Sequence, residues 1–221
     1  MKILDVPRSG SYQGITSSRN RNGQYVRTRA IPVQPRSTAQ LAQRGRQSLN
    51  AAAWRVLTTT QREGWVSLGA NMTRTDALGQ AYTLTGFQAY CSVNNILLLC
   101  ASAALSDAPA VASPAAPLTL TPTITGGGSP AFSVAYTTTP LATGVKAIVR
   151  ASPQRSAGRT FEGDFRVMGV TAAAAASPLV ILTAYQARFG TPVVGNKIFV
   201  QMSNAISGFE SAPLITSVIV T

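Results

Sequence analysis

With 221 residues, 45% hydrophobic and only 12% charged, the chain has room for one large or two modest domains, and carries about half the charged share of an ordinary globular domain. Nineteen Lys and Arg stand against seven Asp and Glu, a formal charge of +12, and there is no histidine. The commonest general base and the commonest metal ligand near neutral pH are thus excluded, and no catalytic residue, metal or cofactor is expected; the basicity points instead to nucleic acid, acidic membrane surfaces or protein partners.

The charge is concentrated at one end. Lys2, Arg8, Arg19, Arg21, Arg27, Arg29, Arg36, Arg44 and Arg46 lie in the first 46 residues against Asp5 alone. Residues 1–13 read as a short irregular lead-in without the apolar centre of a secretory signal. Asn22-Gly23 is a strong signal for a tight turn, so Ile15–Arg21 and Gln24–Ile31 make either an arginine-studded hairpin or an extended arm that orders only on a partner. Pro32 and Pro35 then impose an extended passage. Residues 1–36 are read together as a basic arm.

Residues 37–105 read as a helical domain of three helices. Ser37 or Thr38 caps the first, Ala39–Leu57, in which Leu41, Gly45, Leu49, Ala52, Ala53 and Val56 recur at spacings of three and four, with small residues that let another helix approach. Thr58-Thr59-Thr60 ends it and caps the second, Gln61–Asn71, with Glu63 as capping partner of Thr59 or Thr60. Trp54 and Leu57 before the turn, with Trp65 and Leu68 after it, are the expected core of this helical hairpin. A loop with Asp76 and an extended piece, Ala81–Leu84, lead to Thr85, the expected cap of the third helix, Gly86–Ala104. That helix becomes apolar all round towards its end and must be buried by something, a neighbouring subunit being one candidate. The run Ile96–Leu105 has about half the length of a membrane span, so a soluble protein is expected. Cys91 and Cys100, about 13 Å apart on one helix, cannot bridge and read as buried free thiols, in keeping with assembly in a reducing cytoplasm.

Residues 106–117, SDAPAVASPAAP, read as a Pro/Ala linker. Beyond it the period changes: 118–125, 131–138, 145–151, 165–171, 179–187, 197–203 and 214–220 are seven short segments rich in Val, Ile, Thr, Phe and Tyr, separated by turn residues. This is the pattern of a seven-stranded antiparallel β-sandwich of immunoglobulin or fibronectin type III kind over 118–221. Its end, KIFVQMSNAISGFESAPLITSVIV, resembles the last two strands of fibronectin III modules. The fold class is therefore α+β and multidomain.

No chemical motif survives inspection. Gly126-Gly127-Gly128 lacks the following Lys-Ser/Thr and helix of a phosphate loop and reads as a turn. Glu162 and Asp164, flanked by Arg159 and Arg166, suggest charge pairing or a solvated loop rather than an acid–base pair. No histidine activates a hydroxyl, so the chain is not expected to be an enzyme.

The arm remains. Arg19, Arg21, Arg27, Arg29 and Arg36, with Tyr25, are the expected partner-binding residues. Alternating Arg, Asn, Gln and Tyr suits phosphates and base stacking, yet there is no nucleic-acid fold signature, and arginine equally serves as the planar partner of carboxylates at protein interfaces. Protein anchoring is the preferred reading and nucleic acid the second. The run SSRNRNGQYVRTRAIPVQPRSTAQLAQR, then AAAWRVLTTTQREGW and TLTGFQAYCSVN, resembles a group of bacteriophage and prophage proteins associated with the virion. The resemblance covers residues 14–95. It implies a structural virion component, a capsid decoration or cement protein or a neck or tail protein, contacting other virion proteins and its own copies, with the sandwich as an appended surface module.

Overall fold

The computed structural model describes residues 8–20, 23–31, 33–75 and 79–221, and the chain divides into two units, residues 1–42 and 43–221. Arg21, Asn22, Pro32 and Asp76, to which the sequence assigned roles, lie outside the described residues, as does the lead-in before Arg8.

The first unit is a three-stranded antiparallel sheet, β1 (Gly10–Tyr12), β2 (Ile15–Asn20) and β3 (Gly23–Thr28), in that order. Of the two readings of the arm, hairpin and extended, the hairpin is the one found, with Gly23 in β3 opposite Asn20 where the sequence placed it in the turn, and the lead-in contributes a strand that the sequence did not suggest. Three residues are too few for a visible alternation. Ser17 stands opposite Val26 and Arg19 opposite Gln24. None of the residues of this unit whose exposure is described is buried. The sheet therefore has no hydrophobic face of its own to hold it, which leaves three short strands marginal in water.

Helix α1 (Thr38–Val56) crosses from one unit to the next and is started by Ser37, whose hydroxyl accepts the Gln40 N–H while its own N–H donates to Gln40 Oε1. Thr58 and Gln61 form the same reciprocal box at the head of α2 (Thr59–Ala70). The expected box with Glu63 is thus displaced: the last of α1's turns ends a residue earlier, so Thr58 is left in extended conformation to cap. After α2 a small ladder, β4 (Thr73–Thr75) with β5 (Ala81–Thr83), leads to Thr85, which with Gln88 caps α3 (Gly86–Leu99). The end of α2 lies against the passage that leads into α3: a Cβ on Gly69 would stand 2.6 Å from the Leu84 carbonyl oxygen, so only glycine fits.

The remaining strands form two antiparallel sheets. One is β6 (Thr119–Thr125), β7 (Ala131–Thr137) and β10 (Leu179–Val180), in the order β10-β7-β6; the other holds β8 (Lys146–Ala151), β9 (Arg166–Val170), β11 (Lys197–Ile206), β12 (Phe209–Glu210) and β13 (Leu214–Ile219), with β11 between β8 and β13. Both sheets feed one core, in which Ile124, Phe132 and Val134 from the first meet Val149, Ile198, Val200 and Met202 from the second. The alternation of buried and exposed residues along β6 and β7 is that of strands with one face in a core.

The expected strand 179–187 is corrected. Only Leu179–Val180 pairs, with β7; the chain then turns into a fourth helix, α4 (Leu182–Phe189). The segment is rich in β-forming types, but Leu182, Tyr185 and Phe189 recur at three and four, which places all three against the core on one helical face. Tyr185 is fully buried, 5.1 Å from the Phe132 ring, with its hydroxyl on the Ser152 carbonyl.

The all-round apolar end of α3 is covered within the chain. One side enters the helical core with Trp65 and Tyr90, and the other, through Ile96, Leu99 and Cys100, packs on Ile148, Val170 and Ala205 of the larger sheet. Lys146 closes the helix end, donating to the Cys100 carbonyl at 2.6 Å and the Ser102 hydroxyl at 2.9 Å, where a cation is favoured by the helix dipole. The passage 106–117 is pinned at both ends: Trp65 Nε1 donates to the Ser106 carbonyl, and Asn204 Nδ2 to the Ala115 carbonyl.

Candidate interaction surfaces

Strand register decides what the arm presents. Successive side chains point to opposite faces, so Arg19 shares one face with Tyr12, Ile15, Ser17 and Val26, while Arg27 shares the other with Thr16, Ser18 and Tyr25. Arg29, whose N–H reaches the Gly14 carbonyl at 2.8 Å, continues the alternation on the side of Arg27. The predicted arginines that lie among the described residues are therefore not gathered on one face. Arg36 stands beyond the sheet, exposed, with φ of 50° just before α1. Arg19, Arg27 and Arg29 are exposed and Tyr25 is half-buried, and Tyr12 is 73% and Ile15 48% exposed on the other face. The result is a thin ribbon with cations on both faces, Tyr12, Ile15 and Val26 on one and Tyr25 on the other.

The helical core assembles the four predicted residues with different degrees of burial. Trp65 is fully buried, edge-on to Tyr90 at 5.1 Å; Leu57 and Leu68 are buried beside it. Trp54 is half-buried between Phe87 and Tyr90 and is covered by the Arg62 guanidinium, 6.0 Å from the ring. The sequence merged into one stripe what the fold separates. On α1, Asn50, Ala53 and Trp54 face the body, whereas Leu41, Leu49 and Val56 are 52%, 64% and 83% exposed.

Glu162 and Asp164 lie in the connection between β8 and β9 rather than on a strand. The Glu162 carboxylate is bound by Arg155 Nε, accepts the N–H groups of Asp164 and Gly163 at 2.9 Å each, and has Arg159 Nε at 3.4 Å. These donors, the Arg155 guanidinium first, hold its pKa down at about 2. A carboxylate so held is ionised at every physiological pH and is occupied in pinning the loop; Asp164 is paired with Arg166 at 2.8 Å. Arg150, Ser203 and Glu210 form a second such group: burial pushes the Glu210 carboxyl up, but bonds from Arg150 and Ser203 together outweigh it and bring its pKa below the ordinary value.

A cavity of about 30 Å³ opens between Leu97, Cys100, Lys146 and Ala205, room for a water molecule and little else. Among the described residues there is no group of three or more His, Cys, Asp or Glu placed to hold a metal ion, and no helix long and apolar enough to cross a membrane.

No family model matches the chain, and neither a curated protein nor a solved structure matches it.

Proposed function

We propose that the chain is a non-enzymatic structural component of a tailed-phage virion, a head decoration or cement protein anchored to neighbouring subunits by its basic N-terminal arm, or failing that a neck or tail protein. The observation that carries this reading is the first unit itself: a cationic sheet with no buried residue among those whose exposure is described, of which Arg19, Arg27, Arg29 and Tyr12 are exposed. Such a ribbon gains its order by docking, its arginines meeting carboxylates and its apolar side chains leaving water on the partner surface. Residues 43–221 are a packed body, and the whole chain is assembled in the host cytoplasm and carried in the particle.

Within that body we read the two sheets over 118–221 as a fibronectin III-like sandwich. The first, second and fifth expected strands (β6, β7, β10) share one sheet, the third, fourth, sixth and seventh (β8, β9, β11, β13) share the other, and both turn a face to one core, which supports that reading. The fifth is cut to two residues and its place in the core is completed by α4.

The test is mass spectrometry of purified particles from cells producing either the full chain or a chain lacking residues 1–36. The full chain is expected in the particle and the truncated one is expected to fold but be absent; normal incorporation of the truncation would reject anchoring by the arm. Nucleic acid as the arm's partner is separated by salt titration: duplex binding by the full chain that falls steeply with salt and vanishes in the truncated chain would replace the protein partner with DNA.

A further inference from the structure

We propose that the exposed face of α1 between Gly45 and Val56 is a second docking surface, fitted to an amphipathic helix of a partner protein that carries acidic residues beside its apolar stripe. It is distinct from the arm and does not depend on the virion reading. Residues 45, 49, 52 and 56 are spaced four, three and four apart, so at about 100° per residue they fall on one line along the helix, opposite Asn50 and Trp54, which face the body. Leu49 is 64% and Val56 83% exposed, and nothing stands within 4 Å of where a Gly45 Cβ would lie. Large and small residues alternate along this line, Gly45, Leu49, Ala52, Val56. That is the surface into which knobs of a second helix fit, with close backbone approach at Gly45 and Ala52.

Charge selects the occupant. Half-buried Arg46 flanks the line on one side and exposed Arg55 on the other, and α1 contains no Asp or Glu. A second copy of α1, laid parallel or antiparallel, brings further guanidiniums and no carboxylate to meet them. A partner helix with Glu or Asp beside its apolar stripe meets both guanidiniums and covers Leu49 and Val56 at once.

The test uses the full chain and a fluorescein-labelled synthetic helix of about three heptads, with Leu and Ala in its apolar positions and Glu on the flanks, against a twin with Lys on the flanks. Fluorescence anisotropy is expected to show binding of the Glu peptide and none of the Lys twin. Leu49→Ser/Val56→Ser should weaken the Glu peptide by about tenfold or more at unchanged melting temperature, because both side chains are already in water. Arg46→Glu/Arg55→Glu should reverse the preference in favour of the Lys twin. Neutralising the arm, Arg19→Ser/Arg27→Ser/Arg29→Ser, should leave peptide binding as it was. Failure of the Glu peptide to bind, equal binding of both peptides, or undiminished binding by Leu49→Ser/Val56→Ser would overturn the proposal. So would sedimentation equilibrium showing a dimer of the full chain that Leu49→Ser/Val56→Ser dissolves, since a second copy would then be the occupant.

Discussion

Asn94 closes on both backbone groups of Leu105: its Oδ1 accepts the Leu105 N–H at 2.8 Å and its Nδ2 donates to the Leu105 carbonyl at 3.2 Å. Asn94 is fully buried in α3, so one side chain turns the departing chain back along the helix that it has just left. Asn94→Ala leaves the N–H and the carbonyl of half-buried Leu105 without that partner, and is expected to cost up to about 6 kcal/mol, since each unsatisfied group costs about 1–3. Urea denaturation should show a lower midpoint at unchanged slope; an unchanged midpoint would mean that the turn is held by other contacts.

Ser207 and Gly208, with φ of 49° and 82°, form the two-residue turn that joins β11 to β12. Positive φ at both central positions is the mirror-image turn that suits a hairpin's twist. A Cβ on Gly208 would also lie 2.7 Å from the Val93 carbonyl oxygen, so the turn and α3 fit only with glycine there. Gly208→Ala should destabilise by about 2–4 kcal/mol, strain and overpacking acting together, whereas Ser207→Asn, which tolerates the same backbone, should be close to neutral. Comparable melting temperatures for the two variants would contradict this.

These two positions show what the sequence could and could not convey. The heads of α2 and α3 were legible because Thr before a helical pattern is a local cap signal, although the partners found are Gln61 of Thr58, where Glu63 was expected, and Gln88 of Thr85, where none was named. Strands β6, β7, β8, β11 and β13 were legible from β-branched runs between turns. The residues from Leu182 to Phe189 were not, because their β-rich composition concealed a helical spacing, and composition was the cue followed. The cover over α3 was beyond local reading altogether: Ile148 and Ala205 lie tens of residues downstream of Ile96 and Cys100. The arm's arginines were legible as a cluster, but their division between two faces depends on register, where a slip by one residue exchanges the faces.

Acid should probe the loop that Glu162 holds. Its pKa in the fold is about 2 against an ordinary 4.5, lowered first by the Arg155 bond and then by the backbone N–H groups. A carboxylate depressed in the folded state stabilises fully above its unfolded value and loses that contribution as pH falls through the folded one. Stability should therefore decline between about pH 4.5 and pH 2, and Glu162→Gln should lower stability at pH 7 while flattening its share of that decline. Glu210 adds a slope of the same sign, so the readout is the difference between the chain and its Glu162→Gln variant. Parallel pH profiles for the two would remove Glu162 from the account.

Cys91 and Cys100 are both buried and unbridged. Burial raises both thiols above their ordinary pKa, at Cys91 against a Gln47 amide that donates to the sulfur, and at Cys100 against the nearby Lys146. A thiol that is inaccessible and protonated is a poor nucleophile. In native buffer at pH 8 neither should react with an aromatic disulfide reagent on the timescale of mixing, and both should react at once in denaturant. Prompt reaction of one thiol in the native chain would mean that α3 parts from its cover on that timescale.

The two-faced arm makes the last prediction, within the anchoring proposal. Arg19 stands on the face with Tyr12 and Ile15, Arg27 and Arg29 on the face with Tyr25. A ribbon lying flat on a partner would use one face; one gripped in a groove uses both. Because the cations are divided and neither face has a core beneath it, the groove is the arrangement expected. Arg19→Ser and Arg27→Ser/Arg29→Ser should each lower incorporation into particles, the double variant more than the single, and the triple variant should match the truncation lacking residues 1–36. Each loss should deepen as salt is raised in the assembly reaction, since the ion pairs that remain are screened. If Arg19→Ser incorporates normally while Arg27→Ser/Arg29→Ser does not, the ribbon lies flat on its Tyr25 face. Normal incorporation of the triple variant would show that the arginines are not the anchor.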